Sequence, residues 1–363
     1  MSVDGPFNGF FRGKKVLITG HTGFKGSWLA LWLIELGADV TGFSLDPPTE
    51  PNLFKESGLK KQIKDVRGDI RDLVALKKAF SESQPEIVFH LAAQPIVRTS
   101  YDDPITTYTS NAIGTLNVLE AVRRTPSVAA AIMITTDKVY RNEETFYGFR
   151  EFDPLGGHDP YSASKACAEI IIESHRKSFF AGKRVASVRA GNVISGGDWA
   201  KDRIIPDLVR AFAEGKSLEM RNPSAMRPWQ HVLEPLSGYL WLAAQMVTGK
   251  AEAGAWNFGP AEEDAIPVER IVKKAIDAWG GGSYSVAKDA AAVHEAAFLK
   301  LDCSKAHALL HWHSIYGVDD AVSKTIGWYK AHLNGMNVWA LTLKQIADYT
   351  AYARAKGLAW AGR

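Results

Sequence analysis

The segment Pro160-Tyr161-Ser162-Ala163-Ser164-Lys165 sets a phenol and an ammonium four residues apart, on one face of any helix it opens. A free tyrosine has a pKa of about 10, and a neighbouring ammonium favours its phenolate. The spacing therefore predicts a lowered Tyr161 pKa. Such a phenolate can take a proton from a sugar or alcohol hydroxyl while hydride leaves the carbon. The same spacing describes an exposed surface pair. What favours chemistry is position: the pair lies downstream of a glycine-rich loop and of a run ending Thr135-Thr136-Asp137-Lys138-Val139-Tyr140.

That loop is Gly20-His21-Thr22-Gly23-Phe24-Lys25-Gly26, set between an apolar run at 15–20 and a helical pattern at 26–36. A tight turn with close backbone approach needs residues without a β-carbon. The helix that follows offers free amides and a positive dipole end to a pyrophosphate. Gly20, Gly23 and Gly26, with Phe24 between them, thus read as a dinucleotide cradle; a glycine-rich turn without a ligand is the plainer alternative. Asp46, in Ser-Leu-Asp-Pro-Pro, is the carboxylate placed to meet the adenosine ribose. It repels a 2′-phosphate, and no arginine follows it closely in sequence, so NAD is expected rather than NADP. Asp69 is either an adenine contact or the cap of the next helix.

The elements that must hold these groups follow from periodicity. Strands are expected at 15–20, 39–45, 65–68, 87–93 and 130–135, with helices at 71–83 and 104–124 between them. Strand–helix alternation with right-handed crossovers gives an α/β fold, a doubly wound parallel sheet of the Rossmann type. The second half changes character, with helices at 268–279, 304–311 and 339–355. A dinucleotide domain at 1–190, with returning segments at about 232–262, is expected beside a smaller mixed α/β substrate domain at about 191–231 and 263–363.

Composition bounds the rest. The 363 residues carry a net charge of +3, with 46% hydrophobic and 23% charged residues. That balance argues against a nucleic-acid partner. Cys167 and Cys303 lie far apart with no metal-like or redox-like spacing, so free thiols and no bound metal are expected. The amino terminus lacks a secretory pattern and no apolar run is long enough to span a bilayer, which points to a cytoplasmic enzyme without a membrane partner.

The order TGHTGFKG, FHLAAQ, TTDKVY, YSASK and RAGN resembles the extended short-chain dehydrogenase/reductase family, which includes nucleotide-sugar epimerases and dehydratases. The resemblance covers nearly the whole chain. Residues 20–28, 45–48, 191–207, 227–232 and 299–305 are similar to the CDP-glucose branch of the 4,6-dehydratases. It implies that Asp69-Ile70 and Leu91-Ala92-Ala93 join the glycine loop, Asp46, Tyr161 and Lys165 around NAD. It also implies that Gln94, Arg98, Asn192, Arg203 and Arg227 meet a nucleoside-diphosphate sugar, with CDP-glucose the expected substrate. Guanidinium forks suit phosphate oxygens, although each arginine taken singly also reads as surface solvation. Trp199 and Trp229 stack on a base or pack in the core. His90 and His231 are expected to be packed or capping.

An epimerase needs only hydride out and back at one carbon. A 4,6-dehydratase must also eliminate water across C5 and C6, which needs a second base and an acid. Asp137 and Lys138, directly after Thr136, stand where wider relatives have Asp-Glu. The resemblance implies that Thr136 holds the 4-hydroxyl, Lys138 takes the C5 proton and Asp137 protonates the leaving hydroxyl. A lysine base must be neutral at working pH, so its pKa must be depressed. An epimerase, a dehydratase of another nucleotide sugar, or a non-catalytic NAD-binding scaffold are the alternatives. His21 and Lys25 replace small or aliphatic residues of relatives; a bulky His21 at the pyrophosphate is expected to loosen NAD. Family relatives pair through two long helices, here at 104–124 and 162–180, so a homodimer or homotetramer is expected.

Overall fold

The computed structural model describes residues 5–145, 147–287 and 298–362. Its centre is a seven-stranded, wholly parallel sheet. The strands in chain order are β1 (Lys15–Thr19), β2 (Asp39–Ser44), β3 (Lys64–Arg67), β4 (Ile87–His90), β5 (Ala130–Ile134), β6 (Arg184–Ala190) and, much later, β10 (Ala255–Phe258). Their spatial order is β10-β6-β5-β4-β1-β2-β3. The order reverses between β1 and β4, and such a switch point opens a crevice at the strands' carboxyl ends. β1, β4, β5 and β6 are almost entirely buried, as strands covered by helices on both faces must be. The expected doubly wound α/β fold is thus present. β6 and β10 extend it beyond the strands named from periodicity.

Helix α1 (Phe24–Glu35) follows β1 and is buried over Gly26–Leu33, as the continuous run Trp28-Leu29-Ala30-Leu31-Trp32-Leu33 requires. Helix α2 (Leu73–Ser83) is capped by Asp72, whose side chain accepts from the amides of Val74 and Ala75. Asp69 is therefore not the cap; it binds the Arg71 guanidinium at 2.6 and 2.9 Å. The expected helix at 104–124 is α3 (Pro104–Tyr108) and α4 (Gly114–Arg124), joined by a π-turn at Thr109–Ile113. Helix α5 (Pro160–Phe179) begins where Asp159 accepts from the Ser162 amide, with Pro160 pre-set in the first turn.

The second half adds β7 (Asn192–Ile194), α6 (Ile204–Ala213), β8 (Leu218–Met220), β9 (Met226–His231) and α7 (Leu233–Val247) before β10. After it come β11 (Ala265–Pro267), α8 (Val268–Trp279), β12 (Tyr284–Val286), α9 (Ser304–Leu310), α10 (Val318–Leu333) and α11 (Val338–Ala355). A three-stranded sheet, β11-β9-β7, and a β12-β8 pair stand beside the large sheet. Helix α11 packs on α1, where Tyr349 meets Trp32 edge-on at 5.9 Å and stacks on Trp360 at 5.5 Å. One continuous apolar core runs from α1 through α7 to α10 and α11. No helix among the described residues is long and apolar enough to cross a membrane.

Candidate active site

A cleft of about 1660 Å³ opens along the carboxyl ends of β1, β4 and β5. Gly20 lies in its floor with φ +79°, and a β-carbon there would stand 2.7 Å from the Ala92 amide nitrogen. A β-carbon on Gly26 would stand 2.1 Å from the Gly20 carbonyl oxygen. The loop is thus pressed against the β4 end as only glycine allows. Gly23 caps α1 without a side-chain hydrogen bond, and the first turn holds no acidic residue. Its amides are left for an anionic ligand. Phe24, Ile70, Leu91, Ala92 and Ala93 line the same cleft, as do Asp46 and Asp69. This cradle fits a dinucleotide.

His21 departs from expectation. It is wholly buried, its Nε2 bonds Asp65 at 2.8 Å, and its ring lies directly under Gly42, where a β-carbon would come within 2.3 Å. The side chain turns beneath β2 and does not line the cleft. Its bulk therefore does not stand at the pyrophosphate. Lys25 does line the cleft, and burial with the charges of Arg203 and Lys165 draws its ammonium down to about 8. At the ribose end an arginine does approach Asp46, from the neighbouring strand rather than along the sequence. Arg67 stands 3.8 Å from it, but its guanidinium is engaged by Asp65 at 3.0 Å and by the Leu45 carbonyl.

Tyr161 and Lys165 sit in the first turns of α5, facing the end of β5. The Lys165 ammonium donates to the Ile134 carbonyl at 3.2 Å. Burial draws Lys165 down to about 8, against the Glu169 carboxylate, which raises it. Tyr161 does not show the lowered value expected. Burial pushes it up to about 12, a hydrogen bond with Thr136 pulls it back, and Asp137 raises it again. Desolvation of the phenolate outweighs the groups that favour it, Thr136 and Arg203.

Thr136 and Asp137 are buried in the cleft wall, and the Thr136 hydroxyl donates to Asp137 Oδ1 at 2.9 Å. Asp137 Oδ2 is buried and makes no hydrogen bond among the described residues. Burial raises the Asp137 pKa, against the pull of Lys138, the Thr136 bond, Arg227 and Lys25. Lys138 lines the cleft half-buried.

Of the substrate-side residues, Arg203 is paired with Asp198 at 2.9 Å, Arg98 lies 3.8 Å from Asp202, and Arg227 donates to the Met226 carbonyl at 2.8 Å. These and Asn192 line the cleft. Gln94 lines it too, but its amide is committed elsewhere, accepting from the Ile96 amide and donating to Thr107. Its partner is Asn111, in the π-turn, which bridges the Gln94 backbone to Ser164 on α5. Nothing in the sequence marks Asn111. Trp229 donates to the Ile266 carbonyl in the core. His90 is held between Thr19 and Thr115, and His231 bonds Ser195, both far from any catalytic charge state.

The segment bearing Arg203 is tied to α1. Trp28 donates to the Gly196 carbonyl at 3.0 Å, a β-carbon on Gly196 would strike Trp328, and one on Gly197 would press on Leu53 at 3.0 Å.

Comparison with known proteins agrees with this architecture. A family model described as GDP-mannose 4,6 dehydratase matches residues 17–325. A curated CDP-glucose 4,6-dehydratase of Salmonella typhimurium is 48% identical over 348 residues, covering 94% of this chain and 97% of that protein. Among solved structures, a dTDP-glucose 4,6-dehydratase of Bacillus anthracis in complex with NAD aligns with a TM-score of 0.74 at 22% identity, covering 88% of this chain and 97% of its own. A UDP-glucose 4-epimerase of Thermotoga maritima with UDP-glucose aligns with a TM-score of 0.76 at 21% identity, covering 88% and 99%. At those identities the two structures speak for the fold alone. With the family model spanning most of its length and a near-half-identical relative along almost all of it, the chain belongs to the GDP-mannose 4,6-dehydratase family of extended short-chain dehydrogenases.

Proposed function

We propose that this enzyme is an NAD-dependent nucleotide-sugar 4,6-dehydratase that converts CDP-glucose to CDP-4-keto-6-deoxyglucose. The observation that carries the reading is Asp137: a buried carboxyl with one bare oxygen and a raised pKa, beside Thr136 and close to Tyr161. Burial that raises a carboxyl's pKa helps it hold a proton that it can give to a leaving hydroxyl. Hydride exchange at one carbon would not call for it. The 48% identity to a CDP-glucose 4,6-dehydratase supports the choice of nucleotide and sugar.

The glycine loop, the α1 amides, Asp46, Asp69, Ile70 and the Leu91–Ala93 backbone would hold NAD, with Lys165 and Tyr161 at its nicotinamide end. When bound, NAD supplies a two-electron sink that takes hydrogen from C4 and returns it at C6. Tyr161 accepts the proton of the 4-hydroxyl, and Thr136 and Arg203 are the groups that favour its phenolate. The resulting ketone acidifies C5. Lys138 then takes the C5 proton while Asp137 protonates the hydroxyl leaving C6. Arg98, Asn192, Arg203 and Arg227 orient the nucleoside diphosphate. Incubation with CDP-glucose and NAD should yield the 6-deoxy-4-ketone, with dTDP-, UDP- and GDP-hexoses turned over far more slowly. No product from any of them sinks the dehydratase reading.

Exposed Ile105, Ile113, Ile170 and Phe179 on the helices α3 to α5 support pairing of subunits through this face, as a homodimer or a pair of dimers. A monomeric mass in solution would overturn that.

A further inference from the structure

We propose that the buried pair Glu169–Arg189, which does not line the cleft, is a positioning device that clamps the reactive segment after β5 and sets a carboxylate one helical turn from Lys165. The proposal rests on the dehydratase reading for what the segment does, but not for how the segment is held.

Both side chains are 3% exposed, and neither lines the cleft. Glu169 stands on α5 one turn beyond Lys165. Its Oε1 accepts from the Thr135 hydroxyl at 2.5 Å and from Arg189 Nε at 3.0 Å. Its Oε2 accepts from Ser187 at 2.7 Å and from Arg189 Nη2 at 2.8 Å. Arg189 Nη1 reaches on to the Tyr140 hydroxyl at 2.8 Å, and that hydroxyl donates to Asn257 at 2.8 Å. The guanidinium also lies 4.8 Å from the centre of the Tyr140 ring. Thr136, Asp137 and Lys138 therefore sit on a six-residue stretch gripped at its first residue by Glu169 and at its last by Arg189.

A buried ion pair is weak evidence of stabilisation, because apolar residues of equal volume often do as well. This pair is instead connected to chemistry on both sides. Burial alone would raise the Glu169 pKa, yet Arg189, Thr135 and Ser187 together hold it below the usual carboxylate range. Its carboxylate, one helical turn beyond Lys165, favours the charged form of that lysine. Lys25 from α1 and His90 from β4 also feel the Lys165 charge, and neither brings a negative charge; Tyr161, four residues before it on α5, brings one only as the phenolate. Without Glu169, the lysine would lose its proton at lower pH, and with it the charge that would meet a bound ribose.

Glu169→Gln alone strands a buried guanidinium, so the decisive protein is Glu169→Gln combined with Arg189→Met, which leaves neither charge. Two readings are taken. The first is the pH midpoint of Lys165 reductive methylation, followed by peptide mass spectrometry without any substrate. It should fall by about one pH unit, a tenfold change in proton affinity. The second is turnover of CDP-glucose: kcat should drop about tenfold or more with KM within threefold, and the alkaline limb of the pH profile should move down with the midpoint. Should the double variant fail to fold, Thr135→Val decides the clamp, since it frees the segment's first residue from Glu169 and leaves the ion pair intact. It should lower kcat severalfold at constant KM. A folded double variant with an unchanged Lys165 midpoint and wild-type kcat overturns the proposal, as does a Thr135→Val enzyme of wild-type kcat. A wild-type enzyme inert on every nucleotide sugar would instead sink the dehydratase reading, and leave the methylation midpoint to judge this one.

Discussion

Asp137→Asn should do two things that seldom occur together: abolish most of the dehydration and make the protein more stable. Asp137 is 2% exposed, and one of its two oxygens has no hydrogen-bond partner among the described residues. A buried polar group left in that state costs about 1–3 kcal/mol, and more when charged. Asparagine keeps the shape and the Thr136 contact and carries no charge, so the melting temperature should rise by a few degrees. The sign with pH follows from the raised folded pKa. The stability that goes with the protonated carboxyl is fully present below the ordinary value of 3.8 and is lost as pH rises through the raised value. The gap in favour of the asparagine protein should therefore open with rising pH. Activity moves the other way. A positioned general acid contributes about 10²- to 10⁴-fold, or about 3–5 kcal/mol of barrier. The assays are thermal melting from pH 4 to 8 and proton NMR of the sugar in deuterated water. Exchange at C5 should persist while the 6-deoxy signal fades. An asparagine enzyme that forms 6-deoxy ketone within threefold of the wild-type rate would refute the acid role, and a lowered melting temperature would refute the account of the buried charge.

Other outcomes follow from the same geometry. Lys138→Ala should leave oxidation at C4 detectable and stop deuterium entering C5; near-normal 6-deoxy ketone from this variant would remove Lys138 from the mechanism. Lys25→Met should stabilise the nucleotide-free protein most below pH 8. The folded pKa of about 8 lies under the ordinary 10.5, so across that window the unfolded chain binds more protons and wild-type stability rises with pH; melting curves should show the two proteins converging towards pH 10.5. Gly42→Ala drives a β-carbon into the His21 ring and should cost about 1–3 kcal/mol by overpacking. Adding His21→Gly should recover part of that loss, and strict additivity of the two changes in a double-mutant cycle would contradict the contact.

Much of the site is written locally. The glycine loop declares itself because a turn pressed against Ala92 tolerates no β-carbon, and Tyr161 and Lys165 because helical spacing fixes their common face. What escaped was tertiary. His21 looked like an obstacle at the pyrophosphate because its alternative, the hollow beneath Gly42, lies on another strand twenty-one residues on. Tyr161 was expected to be acidified by its lysine, but burial of the phenol is set by the whole wall of the cleft. Arg67 reaches Asp46 across paired strands, and Glu169 finds Arg189 only once α5 lies on β6. The closing helix α11 was recognised as a helix, yet its seat on α1 depends on Trp32 and Tyr349, which no periodicity joins.

The hydrogen bond from Trp28 to Gly196 has a thermodynamic meaning. It ties the helix whose first turn would cradle the dinucleotide to the strip of chain that carries Arg203, and Leu53 beneath Gly197 braces the same joint. Two ligands that lean on one stiff body share the entropy of ordering it, so whichever binds first lowers the cost for the second. Linkage then requires the benefit to be mutual: the factor by which NAD tightens the nucleotide sugar must equal the factor by which the sugar tightens NAD.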